Sequence, residues 1–279
     1  MTTLITVLVV LVFAVLLYVF YRMQKRHAKF STRVYTALAI GIVFGGLLQL
    51  IFGVDNQVIS QSMEWINIVG EGYVGFLQML IMPLVFVSIV GAFTKMKVSE
   101  KLGKISATVL TSLLATTAIA ALIGIGTTIL FGLQGAKFTE GAAETARISE
   151  LATRQESIQG LTIPQQILSF IPKNVFADLA GTRATSTIGV VIFAAFVGIA
   201  YLGVKRKAPK EAEFFANLID SLYKIVMRIV TLVLRLTPYG VFALMTNVMA
   251  TSDFVAIINL GKFVLASYVA LLAVLIVHS

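Results

Sequence analysis

Residues 78–93 read QMLIMPLVFVSIVGAF, an almost wholly apolar run with Pro83 near its middle. In water, a proline inside a helix costs roughly 3 kcal/mol, because it removes a backbone hydrogen bond and clashes with the preceding turn. In lipid, neighbouring helices and local adjustments satisfy the carbonyl group that the proline frees. The run therefore indicates a membrane-spanning helix, and Pro83 by itself indicates no more than a kink in it.

The rest of the chain has the composition of an integral membrane protein. Of its 279 residues, 58% are hydrophobic and 13% are charged, whereas soluble domains are about 25% charged. Several apolar runs approach the roughly 20 residues that are needed to cross a bilayer. The chain has no cysteine, which excludes disulfides and thiolate chemistry. His27 and His278 lie far apart and away from carboxylate clusters, so a histidine-based metal site is not expected.

Hydropathy divides the chain into seven predicted spans. They cover residues 3–21, 34–53, about 72–94, about 105–132, about 186–204, 211–250 and a last span from about 254. The first lacks a basic start and a small-residue cleavage site, which favours a retained helix over a signal peptide. The second carries Ala37, Gly41 and Gly45 at four-residue spacing, a ridge of small residues that lets another helix approach closely.

The segments between the spans are polar or broken. A short link that contains Asp55 and Glu64 is predicted to be polar and to end near Trp65 at a membrane interface. Residues 133–160 are predicted to be a solvated outer helix or loop, with the charged residues Glu140, Glu144, Arg147, Glu150 and Arg154. Residues 162–181 are predicted to be half-buried pieces, interrupted by Pro164, Pro172 and Gly181.

The basic residues predict the orientation. Segments 22–33, 95–104 and 205–213 hold five, four and four Lys or Arg residues, whereas loops 54–69 and 251–253 hold none. The positive-inside rule then puts the three basic segments in the cytoplasm, in a consistent alternation over seven spans. The same rule accounts for the net charge of +9 without nucleic acid as a partner.

The long stretch 211–250 is predicted to kink at TPYG, residues 237–240, and to carry one charged face. The residues of that face follow a helical spacing of three, four, four and seven: Asn217, Asp220, Lys224, Arg228 and Arg235. A charged path is one interpretation. The favoured one is an amphipathic lead-in at the cytoplasmic interface, with Arg235 extended back toward it. In the last span, Lys262 requires a partner or a route to the interface.

Three stretches resemble the dicarboxylate/amino acid:cation symporters, the glutamate-transporter-like family. Residues 70–93, GEGYVGFLQMLIMPLVFVSIVGAF, are similar to its second helix, where a polar residue precedes M-L-x-M-P-x-V-F and small residues follow. FIPKNVFADLAG and IGVVIFAAFVGIA, within residues 170–200, look like its broken fourth helix. LRLTPYGVFALM, residues 234–245, looks like the kink of its fifth. The stretches occur in the family's order over about residues 33–279.

Within the family, three features are similar to the bacterial carriers of L-cystine. They are the extra N-terminal helix followed by MQKRHAKFS, the run RATSTIGVVIFAAFVGIAYLGVKRK at 183–207, and RIVTLVLRLTPYG with ATSD after it. The resemblance therefore implies L-cystine as the substrate.

The resemblance also implies the fold. It is an all-α integral membrane protein of about seven transmembrane helices, with the glutamate-transporter-like (elevator) fold, incomplete at the C-terminus. Family members carry two re-entrant hairpins and two further spans after the helix at which this chain ends, and these hold nearly all of the substrate site. The chain is therefore expected to be an N-terminal fragment. Alone it is expected to bind and move no substrate, because an unpaired buried carboxylate or ammonium group costs several kcal/mol.

The same resemblance predicts how the chain is divided. Residues 1–32 are an extra transmembrane helix and a cytoplasmic basic link. Residues 33–104 are scaffold helices. The bend at Pro83 is expected to shape the surface along which the moving domain slides. Residues 105–132 are a helix of that transport domain. Residues 133–253 hold the outer polar segment, the broken helix and the kinked long helix of the scaffold. Residues 254–279 start the next, truncated transport-domain helix.

Thr116 and Thr117, within TSLLATTAIAALIGIG at 111–126, are the candidate cation ligands. Family members bind one sodium ion through a threonine–serine pair at the matching place, and hydroxyl and carbonyl oxygens suit a hard monovalent cation. This chain departs from the family at Leu113, where members often carry a tyrosine. A purely structural role is the alternative, because helical threonines often donate to the carbonyl oxygen one turn earlier.

The sequence thus predicts a secondary active transporter that takes up L-cystine together with Na⁺ or H⁺. It is expected to be a multi-pass homotrimer in the plasma membrane of a bacterium, with its N-terminus outside and Ser279 at the cytoplasmic face. No cofactor, resident metal or catalytic residue is expected. Symport of dicarboxylates, glutamate, aspartate or serine and threonine is the alternative within the family. A non-transporting scaffold or a membrane enzyme is a further alternative, but no HExxH motif or Ser/His/Asp set favours an enzyme.

Overall fold

The protein is built of α-helices. The computed structural model describes residues 2–54, 56–96, 102–133, 162–252 and 254–278, and no β-strand occurs within them. The helices of these ranges are α1 (Thr2–Lys25), α2 (Phe30–Phe52), α3 (Gln57–Lys95), α4 (Leu102–Leu130), α5 (Ile163–Ser169), α6 (Val175–Leu179), α7 (Ser186–Lys207), α8 (Pro209–Leu234), α9 (Thr237–Thr251) and α10 (Phe254–His278). The predicted all-α fold is confirmed.

Most of the long helices can cross a membrane. Within the described ranges, α1, α2, α3, α7 and residues Ile257–Val277 of α10 are long and apolar enough to do so. The helices α8 and α9 together are also long and apolar enough, and the 47° bend between them is that of a broken span or a re-entrant loop. Among the residues whose side chains the structure describes, α4 contributes the shorter apolar stretch Ala115–Leu130. The count of seven spans stays a prediction.

The bend between α8 and α9 lies at the predicted TPYG motif and has a chemical cause. Pro238 lies in the first turn of α9, where it has no N–H to donate to the carbonyl oxygen of Leu234. The Thr237 hydroxyl donates to that oxygen instead, at 2.7 Å. Its own oxygen lies 2.9 Å from the hydroxyl oxygen of Tyr73 on α3. The motif therefore breaks the span and also caps the broken end.

The small-residue ridge predicted on α2 packs against α9. Ala37, Gly41 and Gly45 are all buried. A Cβ atom at Gly45 would lie 2.5 Å from the carbonyl oxygen of Thr246 and 2.8 Å from Cβ of Met249. Side chains essentially never approach a backbone so closely, so the two helices can cross at this distance only because residue 45 is a glycine. The predicted role of the ridge is confirmed.

Helix α1 joins the same core through aromatic contacts. Phe13 stacks on Phe242 of α9 with 4.9 Å between the ring centroids, and Phe20 meets the same ring edge-on at 5.2 Å. Offset stacked and edge-on pairs of this kind are worth about 0.5–1.5 kcal/mol beyond the area that they bury. The extra N-terminal helix is therefore a packed part of the body that α2, α3 and α9 form.

Helix α3 begins earlier than the sequence predicted. It starts at Gln57 and includes Glu64, so the assignment of Glu64 to a polar link is wrong. Asn56 caps the helix, since its side-chain oxygen accepts a hydrogen bond from the Val58 N–H at 2.8 Å. The buried side chains of the first turns recur at helical spacing: Val58, Ile59, Ser62, Met63 and Ile66. Packing against the core therefore stabilises a helix whose opposite face exposes Ser60, Glu64 and Trp65.

The second half of α3 contacts α7 and α8. The helix continues through Pro83, which is exposed. Beyond it, the Phe86 ring stacks on that of Phe193 with 5.8 Å between centroids, and Gly198 lies directly against the ring of Phe93. The motif that surrounds Pro83 thus leads into a tightly packed junction of three helices.

Helices α4 and α10 pack against each other. Among the described residues, neither makes an extensive contact with any of the other helices. The remaining long helices are connected through α3, which contacts α1, α7, α8 and α9. The packing therefore separates one helix pair from a larger connected group.

Candidate functional site

The predicted cation ligands lie near the middle of α4. Thr116 is half-buried and Thr117 is exposed, because adjacent side chains of an α-helix project about 100° apart. Both residues take part in interactions within the described structure, so neither is without a partner. Their joint binding of a cation stays a prediction.

Two other threonines of α4 show the structural alternative. The hydroxyl groups of Thr127 and Thr128 donate to the carbonyl oxygen of Gly124 at 2.9 and 2.8 Å. Such a bond uses the hydroxyl hydrogen and leaves the oxygen lone pairs available. A threonine that donates to its own helix can therefore still offer oxygen to a cation, and the two roles do not exclude each other.

An ion pair between a buried carboxylate and a half-buried arginine, which the sequence reasoning missed, ties α6 to the start of α7. The carboxylate of Asp178 is wholly buried, at 0% exposure. Arg183 donates from Nε to Oδ1 and from Nη2 to Oδ2, each at 2.8 Å. This two-point geometry is the strongest form of charge-assisted hydrogen bond. An acid and an arginine five residues apart between apolar segments were the available sequence signal.

The same arginine also fixes the end of α5. Its Nη1 donates to the carbonyl oxygen of Ser169 at 3.1 Å, and the Thr185 hydroxyl donates to that oxygen at 2.9 Å. A Cβ atom at Gly189 of α7 would lie 2.7 Å from Oδ2 of Asp178, so a glycine is needed where the carboxylate meets the helix. The predicted break of 162–181 into short pieces is therefore found, and this polar cluster holds the pieces to α7. The prediction that the pieces are half-buried is wrong, because most of their residues are exposed and Asp178 alone is buried among them.

The charged face predicted for 211–250 lies on α8. Lys224 Nζ is 2.8 Å from Oδ2 of Asp220, and Lys95 Nζ, in the last turn of α3, is 3.5 Å from Oδ1. The side chains of Asn217, Lys224, Arg228 and Arg235 are exposed. Exposed ion pairs contribute only about 0–1 kcal/mol. This exposure supports the amphipathic interpretation over a charged path.

The other charged positions that the sequence singled out are separate from α8. Glu140, Glu144, Arg147, Glu150 and Arg154 lie outside the described residues. Lys262 is exposed on α10. Within the described ranges, no group of three or more His, Asp or Glu residues could hold a metal ion.

The long apolar helices and the sequence patterns agree with one known class of membrane protein. The sequence pattern of the Sodium:dicarboxylate symporter family matches residues 30–279, and the chain belongs to this family. The family that the three stretches predicted is confirmed. Helix α1 precedes the matched residues.

Three relatives are similar to almost the whole chain, α1 included, and each is named L-cystine uptake protein TcyP. The chain is 52% identical over 276 residues to the protein of Bacillus licheniformis, 52% over 278 residues to that of Bacillus subtilis, and 53% over 276 residues to that of Shouchella clausii. These alignments cover 99%, 100% and 99% of this chain but 60%, 60% and 59% of the relatives. The chain therefore spans about three fifths of the length of the curated relatives that it matches.

Proposed function

We propose that the protein takes up L-cystine by cation-coupled symport. The observation that carries this proposal is the identity of 52% over 278 residues to a protein named for L-cystine uptake. The family description, which names sodium and dicarboxylates, supports the coupling and keeps a simple dicarboxylate as the second candidate substrate. L-cystine itself carries two carboxylates and two ammonium groups, so its site requires partners of both charges.

An elevator mechanism fits the helix packing. In it, α4 and α10 belong to a transport domain, and α2, α3, α7, α8 and α9 belong to a scaffold. Support comes from the contact of α4 with α10 and, among the residues that the structure describes, from the few contacts of this pair with the other helices. A body with few contacts can slide along its neighbour without exposing a shared core. In the proposed division, residues 105–132 and 254–279 move together.

In this proposal Thr116 and Thr117 contribute oxygen ligands to the coupling cation. Their support is chemical, since hydroxyl oxygens suit a hard cation. The position of α4 in the proposed moving domain would carry such a cation together with the substrate. Whether the cation is Na⁺ or H⁺ is an outcome of the uptake test below.

The proposed orientation places the N-terminus outside and Ser279 at the cytoplasmic face. Basic residues end three helices in the same way: the last turns hold Arg22 and Lys25 in α1, Lys95 in α3 and Lys205–Lys207 in α7. Lys205 Nζ lies 3.5 Å from the carbonyl oxygen of Met96, so the ends of α7 and α3 lie close together. One basic membrane face supports this orientation under the positive-inside rule.

Assembly as a homotrimer is proposed from the resemblance to the family. The proposed scaffold helices would make the contacts between protomers, and each protomer would work independently. Chemical crosslinking of the detergent-solubilised protein is expected to yield a ladder that ends at the trimer. A ladder that ends at the dimer contradicts this assembly.

The uptake test uses a chimera in which this chain replaces the aligned segment of the Bacillus subtilis relative. The chimera is reconstituted into liposomes and supplied with radiolabelled L-cystine under a Na⁺ gradient, a H⁺ gradient or no gradient. One of the two gradients is expected to accelerate uptake, and excess unlabelled L-cystine is expected to suppress it.

Competition distinguishes the candidate substrates. Uptake of radiolabelled aspartate that excess L-cystine does not suppress would make a simple dicarboxylate the substrate, and uptake of radiolabelled serine that excess L-cystine does not suppress would indicate a serine and threonine carrier. The unmodified relative is the positive control. Uptake by the chimera at the level of empty liposomes, with an active control, would overturn the proposal.

A further inference from the structure

A groove of about 540 Å³ lies between α1 and α3. Its lining on α1 falls within residues 3–11, outside the family's matched residues 30–279. The volume lies within the range of roughly 300–1,000 Å³ that small-molecule sites occupy. The groove is thus a feature that the extra N-terminal helix adds to the family's fold.

The groove is polar at one end and apolar along its length. Helices α1 and α3 run in the same direction, because α2 reverses the chain between them. Thr3, Gln61 and Glu64 therefore supply polar groups near the N-terminal ends of both helices. From there, Val7 and Leu11 continue the lining over two further turns of α1, and eight residues of helix span about 12 Å.

The polar end offers both a negative charge and hydrogen-bond donors. Among the described residues that line the groove, Glu64 is the only charged one. The side-chain oxygen of Gln61 lies 3.3 Å from the Thr6 hydroxyl oxygen, which leaves the Gln61 amide N–H groups to donate elsewhere. The first N–H groups of α1 also lack partners within the helix, as at any helix start.

We propose that this groove binds a zwitterionic aminophospholipid of the bilayer, such as phosphatidylethanolamine. Its ammonium group pairs with the Glu64 carboxylate. Its phosphate accepts hydrogen bonds from Thr3 and Gln61, and one acyl chain lies along Val7 and Leu11. A lipid fits better than a soluble amine, because Val7, Leu11 and Trp65 are 53%, 60% and 62% exposed on two helices that are long and apolar enough to cross a membrane.

Charge complementarity selects the headgroup. A purely anionic headgroup, such as phosphatidylglycerol, meets Glu64 and no cationic side chain among the described lining residues. A choline headgroup carries the positive charge but has no N–H to donate to the carboxylate. Of these three headgroups, only ethanolamine has both a positive charge and N–H groups that can donate to the Glu64 carboxylate. A hydrogen bond to an ionised acceptor is roughly twice as strong as a neutral one.

Trp65 makes the groove directly observable. It lines the groove and is the only tryptophan of the chain, so its fluorescence reports the lipid that contacts it. The protein is reconstituted into phosphatidylcholine vesicles with increasing fractions of lipids that carry brominated acyl chains, which quench tryptophan on contact. The brominated lipids share the same chains and differ only in their ethanolamine, glycerol or choline headgroups. A Trp65→Phe variant measures the background.

We expect half-maximal quenching at an ethanolamine lipid fraction about two- to fivefold lower than for the other two lipids, the effect of an ion pair at a surface. Glu64→Gln removes this preference and Glu64→Asp retains it. The matched control is Glu71→Gln, because Glu71 lies two turns further along α3, is exposed, and does not line the groove. Circular dichroism checks that each variant is folded.

Three results overturn the proposal. They are equal quenching by the three headgroups, a preference for the glycerol lipid, and an ethanolamine preference that survives Glu64→Gln in a folded protein. The headgroup comparison in the unmodified chain stands by itself if Glu64→Gln does not fold. None of these measurements depends on transport, so they are independent of the proposed function.

Discussion

The crossing of α2 and α9 leads to a quantitative prediction for Gly45→Ala. The new Cβ atom would lie 2.5 Å from the carbonyl oxygen of Thr246, and ordinary contact begins at 3.4 Å, so the helices must separate locally by about 0.9 Å. No rotamer change relieves this contact, because its partner is backbone. Overpacking of a tight core costs about 1–3 kcal/mol.

A neighbouring glycine provides the matched control. A Cβ atom at Gly46 would meet only the end of the Met249 side chain, at 3.9 Å. Both substitutions gain the same helix propensity, about 1 kcal/mol for alanine over glycine, so this gain cancels in the comparison. Gly45→Ala is therefore expected to be about 1–3 kcal/mol less stable than Gly46→Ala.

The assay is unfolding of the purified protein in mixed micelles by increasing mole fractions of sodium dodecyl sulfate. Helix content from circular dichroism and the fluorescence of Trp65 report the transition, and Trp65 lies on α3 away from both substitutions. The midpoint for Gly45→Ala is expected at or below that of the unmodified chain and below that of Gly46→Ala, whose midpoint is expected at or above that of the unmodified chain. Equal midpoints for the two variants would refute the role assigned to the small-residue ridge.

Three further predictions concern the ion pair, the cation site and the topology. Arg183→Gln leaves the buried Asp178 charge unpaired and is expected to lower the free energy of unfolding by about 3–5 kcal/mol in the same detergent titration. The double variant with Asp178→Asn is expected to recover part of this loss. Equal stability of the single and the double variant would contradict the role of the ion pair. Thr116→Ala in the uptake chimera is expected to raise the half-saturating concentration of the coupling cation at least about tenfold, the loss of one bond to a charged group. Thr116→Ser preserves that concentration, and cation dependence that is identical in all three proteins contradicts the ligand assignment. In this cysteine-free chain, Ser60→Cys is expected to react with an impermeant maleimide on intact cells and Lys207→Cys only after lysis; labelling of both on intact cells contradicts the orientation.

Sequence patterns predicted the features that depend on local chemistry. Apolar runs of membrane length need internal hydrogen bonding in lipid, so they fold as helices whatever their neighbours are. The four-residue spacing of Ala37, Gly41 and Gly45 predicted a close helix contact, because one helix face is a local property. The proline of the TPYG motif predicted the break between α8 and α9, because it removes an N–H wherever it occurs. The likeness of three motif stretches predicted the family.

Other features depended on which helices meet. Glu64 looked like a link residue, yet packing of the opposite helix face against the core extends α3 past it. The pairing of Asp178 with Arg183 required the turn between α6 and α7 and the glycine at position 189, which let the carboxylate approach the helix. The groove at Trp65 exists only because α1 lies beside α3, and no pattern within either segment encodes that neighbour. Periodicity determines which face of a helix is apolar, whereas the partner of that face is decided by the three-dimensional fit of side chains distant in sequence.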